Sequence, residues 1–146
     1  IEKPDYVSAL WPADCLDRLL AESDIVVLSL PLNEATRGLF DATRLSRMKP
    51  GALLANMARG PLVVDEALVD AIRSGHLAGA VMDVTNIEPL PPDSELWSLP
   101  NVIITPHTGN TKAMARPLLS ARITDNVRRY GAGEPLVGLV DVDLGY

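Results

Sequence analysis

Three residues of this 146-residue chain, Arg59, Glu88 and His107, could together handle a carboxylate and a proton. Arg59 stands in Asn56-Met57-Ala58-Arg59-Gly60, Glu88 precedes Pro89 shortly after Asp83, and His107 lies in Pro106-His107-Thr108-Gly109. Arginine offers a planar fork that grips a carboxylate through two hydrogen bonds. Histidine gives or takes a proton near neutral pH, and a neighbouring glutamate orients the ring and favours its charged form. Such a kit suits reduction of a 2-keto acid or oxidation of a 2-hydroxy acid.

The elements that must position these residues are legible as alternating helical and apolar segments. Leu16, Leu19 and Leu20 recur at helical spacing, which predicts a helix over 12–22, with Pro12 in its first turn. Residues 25–30 form a β-branched, almost wholly apolar run ended by Pro31, which reads as a parallel strand buried on both faces. Asp41 is placed to cap a short helix through Met48, followed by a strand at 52–55. Asp65 reads as the cap of the next helix, whose Leu68, Ala71 and Ile72 face the core and which Gly75 closes. Strands follow at 79–84 and 102–105, separated by a proline-rich loop with one helical turn around 95–98. A last helix spans about 111–130, with Pro117 kinking it or marking its start. This order predicts an α/β fold with a doubly wound parallel sheet, in which right-handed crossovers bring the strand ends to one edge. In open α/β sheets that edge is where ligands bind.

Composition narrows the function further. The net charge is −6, the wrong sign for a nucleic-acid binder; Arg122, Arg128 and Arg129 are diluted by Asp125 and read as a solvated face. No apolar run approaches the roughly 20 residues of a bilayer span, and no secretory leader is visible, so neither nucleic acid nor membrane is an expected partner. Cys15 is the single cysteine, which fits a reducing, cytoplasmic setting, and it reads as packing rather than a catalytic thiol. With two histidines, no CxxC and no HExxH, no metal site is expected. His76 reads as surface or dipole-compensating, and Trp11 and Trp97 as packing.

The chain resembles the D-isomer-specific 2-hydroxyacid dehydrogenases over about residues 15–140. The matching pieces occur in order: Ser23-Asp24 before the first apolar run, Leu30-Pro31-Leu32, Thr36-Arg37-Gly38, Lys49-Pro50-Gly51, and Asn56 to Gly60. After them come Val64-Asp65-Glu66, Asp83-Val84, Glu88-Pro89, Leu96-Trp97, Pro100-Asn101-Val102, and Thr105 to Gly109. The resemblance implies that Arg59 binds the substrate carboxylate, Glu88 partners the histidine, and His107 is the proton donor and acceptor. It implies that Leu30, Pro31, Thr36, Met57, Ala58, Asp83 and Gly109 line a nicotinamide cofactor, NAD being favoured over NADP. Asp83 would accept a hydrogen bond from the carboxamide. Formate dehydrogenases look similar but pair glutamine with the histidine, so Glu88 points to the hydroxyacid branch.

The largest departure from the family pattern is the lack of a GxGxxG phosphate loop. The chain is therefore expected to be the C-terminal half of a longer enzyme and inactive alone. Residues 1–110 would be the latter part of a Rossmann-type nucleotide-binding domain without its first βαβ unit. Residues 111–146 would be a return helix and tail belonging to the substrate domain. The resemblance also implies a homodimer in the full-length protein. The alternative is a non-catalytic, co-repressor-like module on the same fold. Smaller departures are Thr85-Asn86-Ile87, Pro61 and Asn110.

Overall fold

The computed structural model describes residues 3–142. Four strands, β1 (Ile25–Leu28), β2 (Ala52–Asn56), β3 (Leu77–Met82) and β4 (Val102–Ile104), form one parallel sheet in the order β1-β2-β3-β4. Helices α1 (Leu16–Glu22), α2 (Ala42–Ser46), α3 (Asp65–Arg73) and α4 (Lys112–Gly131) are supplemented by 3-10 turns at Ala13–Cys15, Gly60–Leu62 and Glu95–Ser98. The register pairs Leu28 with Asn56, Asn56 with Met82, and Met82 with Ile104. The carboxyl ends of all four strands are therefore level, and the loops that follow leave from one edge.

One face of the sheet makes the core. Val26, Leu28, Leu54, Ala80 and Met82 pack with Leu20 of α1, Leu45 of α2, and Leu68 and Ile72 of α3 in one cluster. Leu45, Leu54, Leu68 and Leu77 have no exposed surface at all. Burial of each such side chain is worth roughly 1.5–3 kcal/mol, which makes this face the main source of cohesion. The two-faced burial expected of 25–30 is not found. Ile25 and Val27 are each 59% exposed, and β1 ends at Leu28, two residues before Leu30. The strands are sequential neighbours, and right-handed crossovers between such neighbours put every connecting helix on the same face. The opposite face, carrying Ile25, Val27, Leu53 and Ile103, is exposed among the described residues.

Other boundaries shift in ways that matter. β3 runs from Leu77 rather than residue 79 and stops at Met82, so Asp83 is the first residue beyond its strand. Asp65 is not the cap of α3 but its first residue; Val64 holds the cap position without a side-chain bond. The Asp65 carboxylate instead accepts from Asn86 Nδ2 at 2.6 Å. Asp41 does cap α2, accepting from Arg44 N at 2.8 Å, and Gly75 follows α3 at φ +75° as a C-terminal glycine should. Helix α4 starts at Lys112 with Thr111 as its cap and continues through Pro117, which is thus not its start. None of its residues is buried, and Met114, Leu118, Ile123 and Val127 are each more than half exposed. The tail folds back on α4 through paired Asn126–Val137 hydrogen bonds of 2.9 and 3.0 Å. Arg128 and Arg129 both pair with Asp125 and Glu134, in keeping with a solvated face.

Candidate active site

The level strand ends deliver three polar loops side by side. At the end of β3, Asp83 is 3% exposed, and its carboxylate organises the loop after β4. Its Oδ1 accepts from the Thr105 hydroxyl at 2.5 Å and from Thr108 N at 2.8 Å, and Oδ2 accepts from Gly109 N at 2.7 Å. The Asp83 carbonyl accepts from His107 N at 2.9 Å. These bonds surround His107, whose φ of 53° lies in the left-handed region that a non-glycine residue occupies only under constraint. Gly109 is required by the same cluster. A Cβ there would lie 2.6 Å from Met57 Cε and 2.8 Å from Asp83 Oδ2.

His107 Nδ1 lies 2.9 Å from Glu88 Oε2. An ionised carboxylate only accepts, so this contact keeps a proton on Nδ1 and leaves Nε2 as the reactive nitrogen. Glu88 is oriented in turn by Thr85 N, which donates to its Oε1 at 3.1 Å. The His107 hydrogen bond, reinforced by that from Thr85, holds the Glu88 carboxyl below the usual range. Burial pushes the Asp83 carboxyl up, but the hydrogen bonds from Thr105, Thr108 and Gly109 outweigh it and hold the group below its ordinary value.

Those two depressed carboxyls predict an acid limit. The unfolded chain takes up its carboxylate protons near pH 4, before the folded one does, so their contribution to stability is complete above that pH and is lost as pH falls through the folded values. Thermal melts between pH 6 and pH 3 should show stability falling with pH, with a shallower slope in Asp83→Asn. An identical slope in that variant would contradict the role given to Asp83.

Arg59 leaves the end of β2. Asn56, wholly buried, accepts from Ala58 N at 3.1 Å and donates to the Arg59 carbonyl at 2.9 Å. Arg59 Nη1 donates to the Ala58 carbonyl at 2.6 Å. Gly60 lets this turn pack directly on the loop after β3, since a Cβ there would lie 2.1 Å from the Thr85 carbonyl. Asn86 ties the same loops together by donating to Val63 O at 3.1 Å and to Asp65.

Two cavities flank the row of strand ends. One, of about 640 Å³, is lined by Leu30, Pro31, Met57, Ala58 and Arg59 together with Ser29 and Leu32. The other, of about 490 Å³, lies beside Glu88 and His107 and is walled by Leu90, Trp97 and Ile104. The site residues thus assemble in two groups: Glu88, His107, Asp83 and Gly109 are linked by contact, and Leu30, Pro31, Met57, Ala58 and Arg59 share the first cavity. Thr36 stands apart from that cavity; its hydroxyl donates to Pro31 O at 2.8 Å and closes the 31–36 loop. Trp97, read from sequence as packing, is 54% exposed at the cavity beside His107. His76 lies elsewhere, with Nε2 3.1 Å from Leu45 O. Sequence reasoning gave no role to Asn56, Thr85 or Thr105. The first and last stood inside quoted motifs, but only the fold shows which atoms they hold. Among the described residues no three His, Cys, Asp or Glu side chains converge as a metal site, and no helix is long and apolar enough to cross a membrane.

Residues 3–109 match the family model described as D-isomer specific 2-hydroxyacid dehydrogenase, NAD binding domain. The chain belongs to the D-isomer-specific 2-hydroxyacid dehydrogenase family. It is 42% identical over 119 residues to glyoxylate/hydroxypyruvate reductase B of Enterobacter agglomerans, covering 82% of this chain and 37% of the reductase. It is 41% identical over 133 residues to the mitochondrial formate dehydrogenase of Solanum tuberosum, covering 91% of this chain and 35% of that enzyme. The solved D-isomer specific 2-hydroxyacid dehydrogenase of Xanthobacter autotrophicus Py2, in complex with NADPH and MES, superposes with a TM-score of 0.88 at 43% identity. That match covers all of this chain and 60% of the solved one. The chain spans less than half the length of these curated relatives. The four parallel strands thus belong to a Rossmann-type NAD-binding domain of the 2-hydroxyacid dehydrogenase family.

Proposed function

We propose that this chain supplies the catalytic half of an oxidoreductase that interconverts a small 2-keto acid and its D-2-hydroxy acid. The observation that carries the reading is the His107–Glu88 contact of 2.9 Å, held at the sheet edge from which Arg59 also emerges. A nicotinamide dinucleotide, when bound, supplies or accepts the hydride. Leu30, Pro31, Met57 and Ala58 would hold its nicotinamide side, and the lining of the first cavity fits an apolar ring face. Asp83 fits the carboxamide. A carboxylate has about four lone-pair positions, and protein donors fill three here, two on Oδ1 and one on Oδ2. The expected preference for NAD finds no support among the solved relatives named with a cofactor, which hold NADPH and NADP; either dinucleotide fits this reading.

In the reductive direction Arg59 binds the substrate carboxylate and polarises the neighbouring carbonyl. Protonated His107 delivers its Nε2 proton to the carbonyl oxygen as that oxygen gains charge, while Glu88 stabilises the charged ring. In the oxidative direction neutral His107 removes the hydroxyl proton through Nε2. Glu88, rather than glutamine, favours a hydroxy acid over formate as substrate.

No GxGxxG occurs in the chain, so we further propose that cofactor binding needs a phosphate loop from an upstream half, and that residues 111–146 pack with a substrate domain supplied there. The complete protein would be a homodimer. The test is NADH and NADPH oxidation with glyoxylate, hydroxypyruvate and pyruvate. The 146-residue chain alone should show no turnover. The chain joined to an upstream half, from its own gene or from the Xanthobacter relative, should reduce at least one of the three. Turnover by the chain alone would refute the need for the loop; an inert but folded completed enzyme would refute the catalytic reading.

A further inference from the structure

We propose that Asn56 is a positioning residue for substrate recognition: its buried side chain fixes the turn that presents Arg59 to the substrate carboxylate. The inference rests on the role given to Arg59 above and adds a residue to it.

Asn56 closes β2 in the middle of the sheet, paired with Leu28 on one side and Met82 on the other. It has no exposed surface, so its amide must find partners within the protein. Neither partner lies in an adjacent strand. Both lie in the three residues that follow, the Ala58 N–H and the Arg59 carbonyl. These groups flank Arg59 Cα, so one side chain fixes the backbone on both sides of it. Ala58 is 7% exposed, and its carbonyl takes Arg59 Nη1 at 2.6 Å. Asn56 thus acts on the guanidinium at one remove, through Ala58. With Nη1 engaged, the Nε and Nη2 edge remains as the two-toothed fork that a carboxylate fits. A core-filling role would be served as well by leucine; the paired donor and acceptor serve only a turn of this shape.

The test is a double-mutant cycle in the completed enzyme. Asn56→Ala should raise KM for the keto acid by about 10- to 100-fold, the scale of a misplaced binding group, and raise KM for the dinucleotide by a smaller factor, since Met57 and Ala58 of the same turn are only part of the proposed nicotinamide site. In an Arg59→Gln background the same substitution should have little further effect, because the group it positions is gone. An equal rise in both KM values, or an equal effect in both backgrounds, would overturn the proposal. Asn56→Asp keeps the shape and the acceptor but lacks the donor, and provides the same cycle if the alanine variant does not fold. If the completed enzyme reduces no keto acid, the reading of Arg59 falls, and Asn56 is then judged in the 146-residue chain by amide hydrogen exchange. Faster exchange at Ala58 in Asn56→Asp or Asn56→Ala, with β2 still protected, supports the clamp; unchanged exchange overturns it.

Discussion

In the completed enzyme, His107→Ala is expected to lower kcat by about 10²–10⁴, the usual contribution of a placed general acid or base, while dinucleotide binding persists. The separation follows from geometry. Nε2 is free for substrate because Nδ1 is engaged by Glu88, whereas the residues proposed to hold the nicotinamide, Gly109 apart, lie on other loops. The loop itself should survive the substitution. Three of its anchors, Thr105 Oγ1, Thr108 N and Gly109 N, are bound by Asp83 and do not involve the imidazole. Alanine at φ 53° adds some strain, so His107→Asn, which tolerates that region better, should lose activity just as fully with less loss of stability. Single-turnover kinetics and dinucleotide titration check both parts. Near-normal kcat in either variant would remove His107 from the mechanism.

The second large effect is expected at Arg59. Two charge-assisted hydrogen bonds to a carboxylate, each worth about 1.5–3 kcal/mol, correspond to a loss of about 10²–10⁴ in kcat/KM for the keto acid in Arg59→Gln. Arg59→Lys should recover little of it, because an ammonium cannot reproduce the fork and its shorter reach changes the position of the charge. Steady-state kinetics with the keto acid varied at saturating dinucleotide measures the loss. Recovery of most activity by lysine would mean that only a positive charge is needed there. Arg59 is surface-exposed, so its loss should leave stability almost unchanged, and a large drop in melting temperature would point to a structural role instead.

The pattern of α/β elements was legible because apolar runs, caps and glycines are local signals. β2, β4, α2 and the end of α3 fall within two residues of the expected bounds. The errors also have local causes. Asp65 has the composition of a cap, yet its carboxylate turns to Asn86, twenty-one residues further on, a partner invisible to a local reading. Ile25 and Val27 read as doubly buried because apolar composition reports what a face could pack against, not what the described chain places there. Thr36 stood in a matching motif, but that its hydroxyl closes the loop on Pro31 O is visible only in the fold.

By itself the sequence determined which residue types could do the chemistry, that each follows a strand of a parallel sheet, and that no phosphate loop accompanies them. Those are properties of composition and short-range order. Only the tertiary structure decided how the groups are held. The level strand ends put Asp83 against residues 105 and 108–109, Glu88 against His107, and the Thr85 loop against Gly60. These contacts join residues 19 to 26 positions apart and depend on register between strands, which no local pattern encodes. Asn56 belongs with them: its bonds are short in sequence, but they are forced by burial in the centre of the sheet, and burial is a property of the fold.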